Sequence, residues 1–231
     1  MALAIQRARF YQELVLLDQL KLNFVAIASH ELRTPATSVY GVLATLVERG
    51  DTLSAETRDE LLQVGYEQAD RMRRLLEQLL DLSRLDARTV AVEPKPLVLA
   101  SVLEEIATAS VPGTKVEIDV APDVAVVADA MVLDRVISNL LINAARYGRP
   151  PIALSAERRD RHLRITVEDG GEGVPPELRP HLFERFSRSE EARGSGLGLA
   201  IARAYARAHG GDLVFDPDAP GARFELIVPQ R

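Results

Sequence analysis

Residues 3–27, LAIQRARFYQELVLLDQLKLNFVAI, set Leu3, Phe10, Leu17 and Phe24 seven residues apart, with Leu20 and Ile27 in a neighbouring row. An apolar period of seven is the seam of a helix that meets other helices, and here it predicts one long helix from near Ala4 to Arg49. Gly50-Asp51-Thr52-Leu53-Ser54 then supplies turn residues and a candidate N-cap, and Leu61, Ala69, Met72, Leu76, Leu79 and Leu82 mark a second helix. The first part of the chain therefore reads as a helical hairpin. Two helices of this length cannot shelter their apolar stripes alone, so two copies are expected to pair as a homodimer with a four-helix bundle.

Proline and glycine show where the hairpin ends. Of 13 prolines only Pro35 precedes Glu93, and 11 of the 14 glycines follow it. Long helix thus gives way to short elements joined by turns, which predicts domains at 1–92 and 93–231. In the second domain Ser101 and Glu104 have capping-box spacing before a short helix, and Asp129 can cap a longer one over 131–147. Strands are predicted at 116–120, 124–127, 152–156, 163–168, 213–215 and 224–228, with the charged turn 158–161 closing a hairpin. A further helix spans about 197–208, stopped by Gly210-Gly211. The fold class is α+β, a helical hairpin followed by a sheet with helices in mixed order.

Composition narrows the function. The 231 residues are 47% hydrophobic and 27% charged, which suits an ordinary folded chain with a core of its own. A net charge of −6 argues against a general grip on nucleic acid or on anionic lipid. With no cysteine, disulfide scaffolds, thiolate zinc sites and cysteine nucleophiles are excluded together. No apolar run approaches the ~20 residues of a membrane helix, and Arg7 and Arg9 fall within the first ten residues, so neither membrane contact nor export is expected and a cytoplasmic setting is.

Reactive groups stand out within this frame. His30 lies mid-helix in FVAIASHELRTP, residues 24–35, beside Glu31 and Arg33. A lone helical histidine is most often a surface group, but Glu31 can hold the imidazole and take its proton, and Thr34 follows one turn later. Pro35 removes an amide near this site and builds in a point of bending. On the helix 131–147, Asn139 and Asn143 share one face among apolar neighbours, followed by Arg146 and Tyr147. An amide carbonyl suits a hard cation, and the arginine suits phosphate. Asp169-Gly170-Gly171-Glu172-Gly173 lets backbone approach a ligand while a carboxylate accepts from a base amine. Gly194-Ser195-Gly196-Leu197-Gly198-Leu199 opens a helix, where free amides cradle phosphate, although the spacing is neither that of a dinucleotide fold nor that of a P-loop. Phe183 and Phe186 in LFERFSR read as core anchors.

The order SHELRTP, NLLINAARYG, DGGEG, LFERFSR and GSGLGLAIA resembles the sensor histidine kinases of two-component systems over nearly the whole chain. The resemblance implies a dimerisation and histidine-phosphotransfer hairpin followed by a Bergerat-type ATP-binding α/β sandwich. It implies ATP with Mg²⁺ as cofactors and a response-regulator receiver domain as partner. By the same resemblance His30 is the phosphoacceptor, Glu31 the general base and Thr34 the residue that positions water for phosphatase action. Asn143 matches the metal ligand, Asn139, Arg146 and Tyr147 share its nucleotide box, and Asp169 reads the adenine amine. Arg188 touches phosphate, and Gly171, Gly173, Gly194, Gly196 and Gly198 shape the pocket and its lid. Ala36 stands where the family usually has leucine, and the lid over 187–193 is short for the family. The opening residues resemble the exit helix of a sensor domain, which implies an input domain N-terminal to this chain. Two rivals stay open: a kinase-fold protein acting mainly as phosphatase of its regulator, and a dimeric scaffold that binds ATP without turnover.

Overall fold

The computed structural model describes residues 2–87, 90–122, 124–159, 161–187 and 195–230, with side chains from residue 25 onward. The chain divides into two compact units, Met1–Leu80 and Asp81–Arg231.

The first unit is the helical hairpin. Helix α1 (Ala2–Arg49) continues through Pro35, a 3-10 turn covers Gly50–Thr52, and α2 (Ala55–Asp86) returns. Ser54 caps α2 as its side chain suggests, its hydroxyl accepting from the Thr57 amide at 3.2 Å, while Arg58 donates to the Gly50 carbonyl at 2.9 Å and closes the turn. Ala28, Val42 and Leu75 are buried between the helices. Gly65 lets α2 approach closely, since a Cβ there would stand 3.2 Å from Val42 Cγ1. The inward stripe of α2 runs through Met72, Leu75, Leu79 and Leu82, so Leu75 replaces the expected Leu76, which is exposed. Both leucines fit a helical period; packing against α1 selects between them. Val25, Tyr40, Leu43, Val47, Leu62, Tyr66, Leu76 and Leu80 face outward. The seam side chains Leu3, Phe10, Leu17, Leu20 and Phe24 lie outside the described residues.

The second unit begins with the last turns of α2 and continues through β1 (Lys95–Val98), α3 (Leu99–Ser110), β2 (Val116–Asp119), β3 (Ala125–Ala128), α4 (Ala130–Tyr147), β4 (Ile152–Arg159), β5 (His162–Asp169), α5 (Gly198–Ala208), β6 (Asp212–Asp216) and β7 (Arg223–Pro229). Strands pair in the order β2-β4-β5-β7-β6, antiparallel except for the parallel β2–β4 pair, and β1 and β3 form a separate antiparallel ribbon. Helix α4 packs against α3 and α5. The core joins Val132, Leu133, Val136, Ile137, Leu140 and Leu141 of α4 to the inward residues of the sheet. Those strand residues alternate: Leu163, Ile165 and Val167 of β5 are buried, and the same period carries Asp169 into the next inward position. A carboxylate is thereby delivered to the buried side of the sheet at the strand's end.

Local signals decide two helix starts differently. Asp129 caps α4 as expected: Oδ1 accepts from the Met131 and Val132 amides at 2.9 and 3.2 Å, Oδ2 accepts from the Glu93 amide at 2.6 Å, and the Asp129 amide donates to His209 Nε2 at 3.0 Å. The Ser101–Glu104 capping box does not form, because α3 starts earlier, straight from β1. Its N-cap is Val98 without a side-chain cap, and the Leu99 amide donates to the Val124 carbonyl at 3.0 Å. Pairing of β1 with β3, segments well apart in sequence, fixes that start.

On the other side of the sheet polar groups pair across strands, Arg164 with Glu225 at 2.9 Å and Arg223 with Glu168 at 2.8 Å. Asp212 at the head of β6 receives Arg203 at 2.8 Å and Arg207 at 3.1 Å from one face of α5. The Arg203 hydrogen bond, against the opposing effect of burial and with help from Arg207, holds the Asp212 carboxyl well below the usual carboxylate range. A folded carboxyl more acidic than the unfolded one stabilises fully above the ordinary Asp range, about pH 4, and the gain is lost as the pH falls toward the folded value. Solvent access limits the gain to about 1 kcal/mol. Asp212→Asn is expected to cost that much in urea denaturation at neutral pH, with the penalty shrinking below about pH 4. A penalty unchanged between about pH 6 and pH 3 contradicts this assignment.

Candidate active site

His30, Glu31 and Thr34 stand together on α1 in the hairpin unit. The His30 side chain is 75% exposed and that of Glu31 only 7%, with His30 Nδ1 at 3.8 Å from Glu31 Oε1. One helical residue thus offers an imidazole to solvent while its neighbour holds a buried carboxylate against one ring nitrogen. The other Glu31 oxygen, Oε2, accepts from Arg71 Nη2 of α2 at 3.3 Å. Thr34 is exposed, and its hydroxyl donates back to the His30 carbonyl at 3.4 Å. This weak bond is the usual resting place of a helical threonine hydroxyl.

The second cluster is built by α4, the end of β5 and the start of α5. Asp169 is 7% exposed, and its Oδ1 accepts from the Gly171 amide at 2.8 Å. Glycine surrounds it: a Cβ on Gly148 would lie 2.3 Å from Asp169 Cγ, one on Gly171 2.8 Å from Oδ1, and one on Gly221 1.8 Å from the Asp169 carbonyl oxygen. Backbone at Gly148 and Gly171 therefore closes on this carboxylate, and Gly221 on the main-chain carbonyl of the same residue, where any side chain would collide. Gly173 has φ +77° and lies beside the Gly221 carbonyl, a close approach open to glycine at little cost.

On α4, Asn139 donates through Nδ2 to the Arg135 carbonyl at 2.6 Å, and its Oδ1 faces Gly198, where a Cβ would come within 2.7 Å. Gly198 is the first residue of α5, so this contact brings the asparagine face of α4 to a helix N-terminus. That terminus has no side-chain cap, and Leu197 before it is fully buried. Asn143 sits half-buried one turn further along α4. Arg146 and Tyr147 are exposed at the end of the helix, the guanidinium 6.0 Å from the ring centroid. Gly196 has φ +67°, and its carbonyl accepts from the Phe186 amide at 2.9 Å. Phe183 is an anchor, as expected, edge-on to Phe224 at 6.4 Å with Arg203 over its face at 4.5 Å. Arg188, Gly194 and the lid from 188 onward lie outside the described residues.

The fit to nucleotide and metal follows from these donors. A buried carboxylate with Oδ1 occupied by backbone and walls free of side chains suits a flat ligand that donates from an amine. Uncapped amides at α5 suit phosphate. Among the described residues no three His, Asp or Glu side chains converge on a metal position. Magnesium bound through substrate phosphates and one asparagine oxygen fits such a donor set better than a dedicated cage. Sequence reading assigned no role to Arg71, Gly148 or Gly221. Gly148 stands inside the quoted NLLINAARYG, yet its contact with Asp169 spans two elements and leaves no local signal.

Residues 20–88 match the family model of the His Kinase A (phospho-acceptor) domain, and residues 128–231 match that of the histidine kinase-, DNA gyrase B-, and HSP90-like ATPase. The signal transduction histidine-protein kinase AfsQ2 of Streptomyces coelicolor is 33% identical over 228 residues, 92% of this chain and 42% of that protein. Among solved structures, the mycobacterial sensor histidine kinase MprB shares 33% identity at a TM-score of 0.52, over 59% of this chain and 99% of its own. Full-length ShkA in complex with AMPPNP shares 28% identity at a TM-score of 0.65, over 89% of this chain and 45% of its own. The chain spans less than half the length of the curated relatives it matches. A phospho-acceptor hairpin followed by an ATPase sandwich defines a histidine kinase core. The chain belongs to the sensor histidine kinases of two-component systems.

Proposed function

We propose that this chain takes the γ-phosphoryl group of ATP onto His30 and passes it to an aspartate of a response-regulator receiver domain. The observation that carries the reading is the pairing of an exposed imidazole with a buried carboxylate through Nδ1. That arrangement leaves Nε2 as the outward nucleophile. Its lone pair forms the N–P bond as the bond from the γ-phosphorus to the bridging oxygen breaks, ADP leaves with the electron pair, and the Nδ1 proton goes to Glu31 Oε1. Little covalent help is needed beyond this, so positioning and charge neutralisation supply most of the rate.

The second unit does the positioning. Asp169 accepts the adenine amine, the α5 amides behind Gly196 and Gly198 hold phosphate, Gly171 and Gly173 keep the wall bare, and Asn139, Arg146 and Tyr147 flank the nucleotide. Arg188 and Gly194 take the places that family resemblance gives them, on phosphate and in the lid. Asn143 would hold Mg²⁺, which neutralises phosphate charge when bound. We further propose that the hairpin, residues 1–92 in our division, dimerises through its outward apolar residues, that domain 93–231 binds ATP, and that a sensor domain precedes the chain. No helix among the described residues is long and apolar enough to cross a membrane, and reliance on ATP supports a cytoplasmic setting.

Thr34 and Glu31 should separate by reaction. Thr34 lies one turn from His30, where its exposed hydroxyl can release the His30 carbonyl and hold water beside a docked phospho-aspartate. Thr34→Ala is expected to leave His30 labelling within about twofold of wild type and to slow dephosphorylation of the regulator about tenfold or more. Glu31→Gln is expected to slow labelling by about 100-fold with ATP affinity kept. Two time courses measure this, label gained by the kinase and label lost from purified phospho-regulator. Equal damage to both reactions by Thr34→Ala contradicts the division.

A further inference from the structure

We infer that Arg71 is a positioning residue for phosphorylation of His30, acting through Glu31; the inference rests on the roles given to those two residues above. Arg71 opens the run Arg71-Met72-Arg73-Arg74 of α2. Its basic neighbours are paired within their own helix, Arg73 with Asp70 at 2.8 Å and Glu77 at 2.6 Å, and Arg74 with Asp70 at 3.2 Å. Arg71 instead crosses the hairpin to a residue 40 positions away in sequence and donates to Glu31 Oε2 at 3.3 Å. The two oxygens of one carboxylate therefore face different groups, Oε1 the imidazole and Oε2 the guanidinium.

This geometry answers a problem that a base in this position has. A carboxylate as little exposed as Glu31 has lost most of its hydration, and a charge buried without a partner is costly by several kcal/mol. Without a charge to offset that cost it would turn toward water, away from Nδ1. His30 cannot serve as the compensating charge, because it reacts as a neutral nucleophile. Arg71 supplies that charge from the far side, its side chain 37% exposed so that the guanidinium stays partly hydrated. Its contact is with Glu31 of its own hairpin, so its effect is expected on the chemical step and not on ATP binding. The charged hydrogen bond at 3.3 Å also anchors Oε2 in a way that a distant surface charge does not.

The test is a double-mutant cycle in the full chain, with initial rates of His30 labelling measured against ATP concentration. Arg71→Met is expected to lower kcat about tenfold or more with KM for ATP unchanged, and Arg71→Lys to recover to within about threefold of wild type. In the Glu31→Gln background, Arg71→Met should add less than a twofold loss, because its effect runs through the carboxylate already removed. Arg71→Met at the wild-type kcat overturns the inference, as does full additivity of the two losses. Should Arg71→Met fail to fold, Arg71→Gln replaces it in the cycle, and a glutamine variant equal to wild type overturns the inference equally. Failure of the underlying reading looks different: Glu31→Gln alone would then keep the wild-type kcat, whatever Arg71 does.

Discussion

His30→Gln is expected to abolish phosphoryl incorporation, to a level at least about 1,000-fold below wild type, because the change deletes the nucleophile itself. Glutamine is a good helix former of comparable length, the His30 side chain is 75% exposed, and Glu31 keeps its bond from Arg71, so α1 is expected to keep its fold. The variant should keep its far-UV circular dichroism, its mass in solution and its ATP affinity. Loss of label with ATP binding intact separates chemistry from folding. If acid-labile phosphate still appears on the variant, another residue is the acceptor.

Asp169→Asn is expected to weaken ATP binding about 100-fold, which at 1.4 kcal/mol per tenfold is about 2.8 kcal/mol. The size follows from burial. Asp169 is 7% exposed, and the Gly171 amide already takes Oδ1, so the remaining oxygen is the acceptor for an incoming amine. Asparagine keeps the shape and can satisfy Gly171 with its carbonyl. Its NH₂ then meets the amine donor to donor, beside the crowding backbones of Gly148 and Gly171. Calorimetric titration with ATP, alongside thermal melts of the free protein, measures this. An unchanged Kd removes Asp169 from the adenine site.

What the sequence made legible follows the range of the interactions involved. The long helices, the Ser54 and Asp129 caps and the alternation through β5 are local, and residues within one turn or one strand announce them. The stretch from Asn139 to Gly148 and the glycines at 170, 171 and 173 were visible as unusual choices, bare backbone or buried amide where a plain element would not want them. Other features arise between segments. Leu75 faces inward in place of Leu76 because α1 sets the rotation of α2, and α3 starts at Leu99 because β1 pairs with β3. Gly148 closes on the Asp169 side chain and Gly221 on its main-chain carbonyl, and Arg71 reaches Glu31 across the hairpin. In each case the residue type is ordinary for its own surroundings, and only its distant neighbour gives it a role.

On the function proposed above, this chain phosphorylates its own His30 from Mg·ATP. Incubating the purified chain with γ-labelled ATP and Mg²⁺, then dividing the sample between acid and base, tests it most directly. The expected label is lost in acid, survives in base, and maps to the peptide containing His30. Acid-stable label, or nucleotide bound with no label transferred, would contradict it.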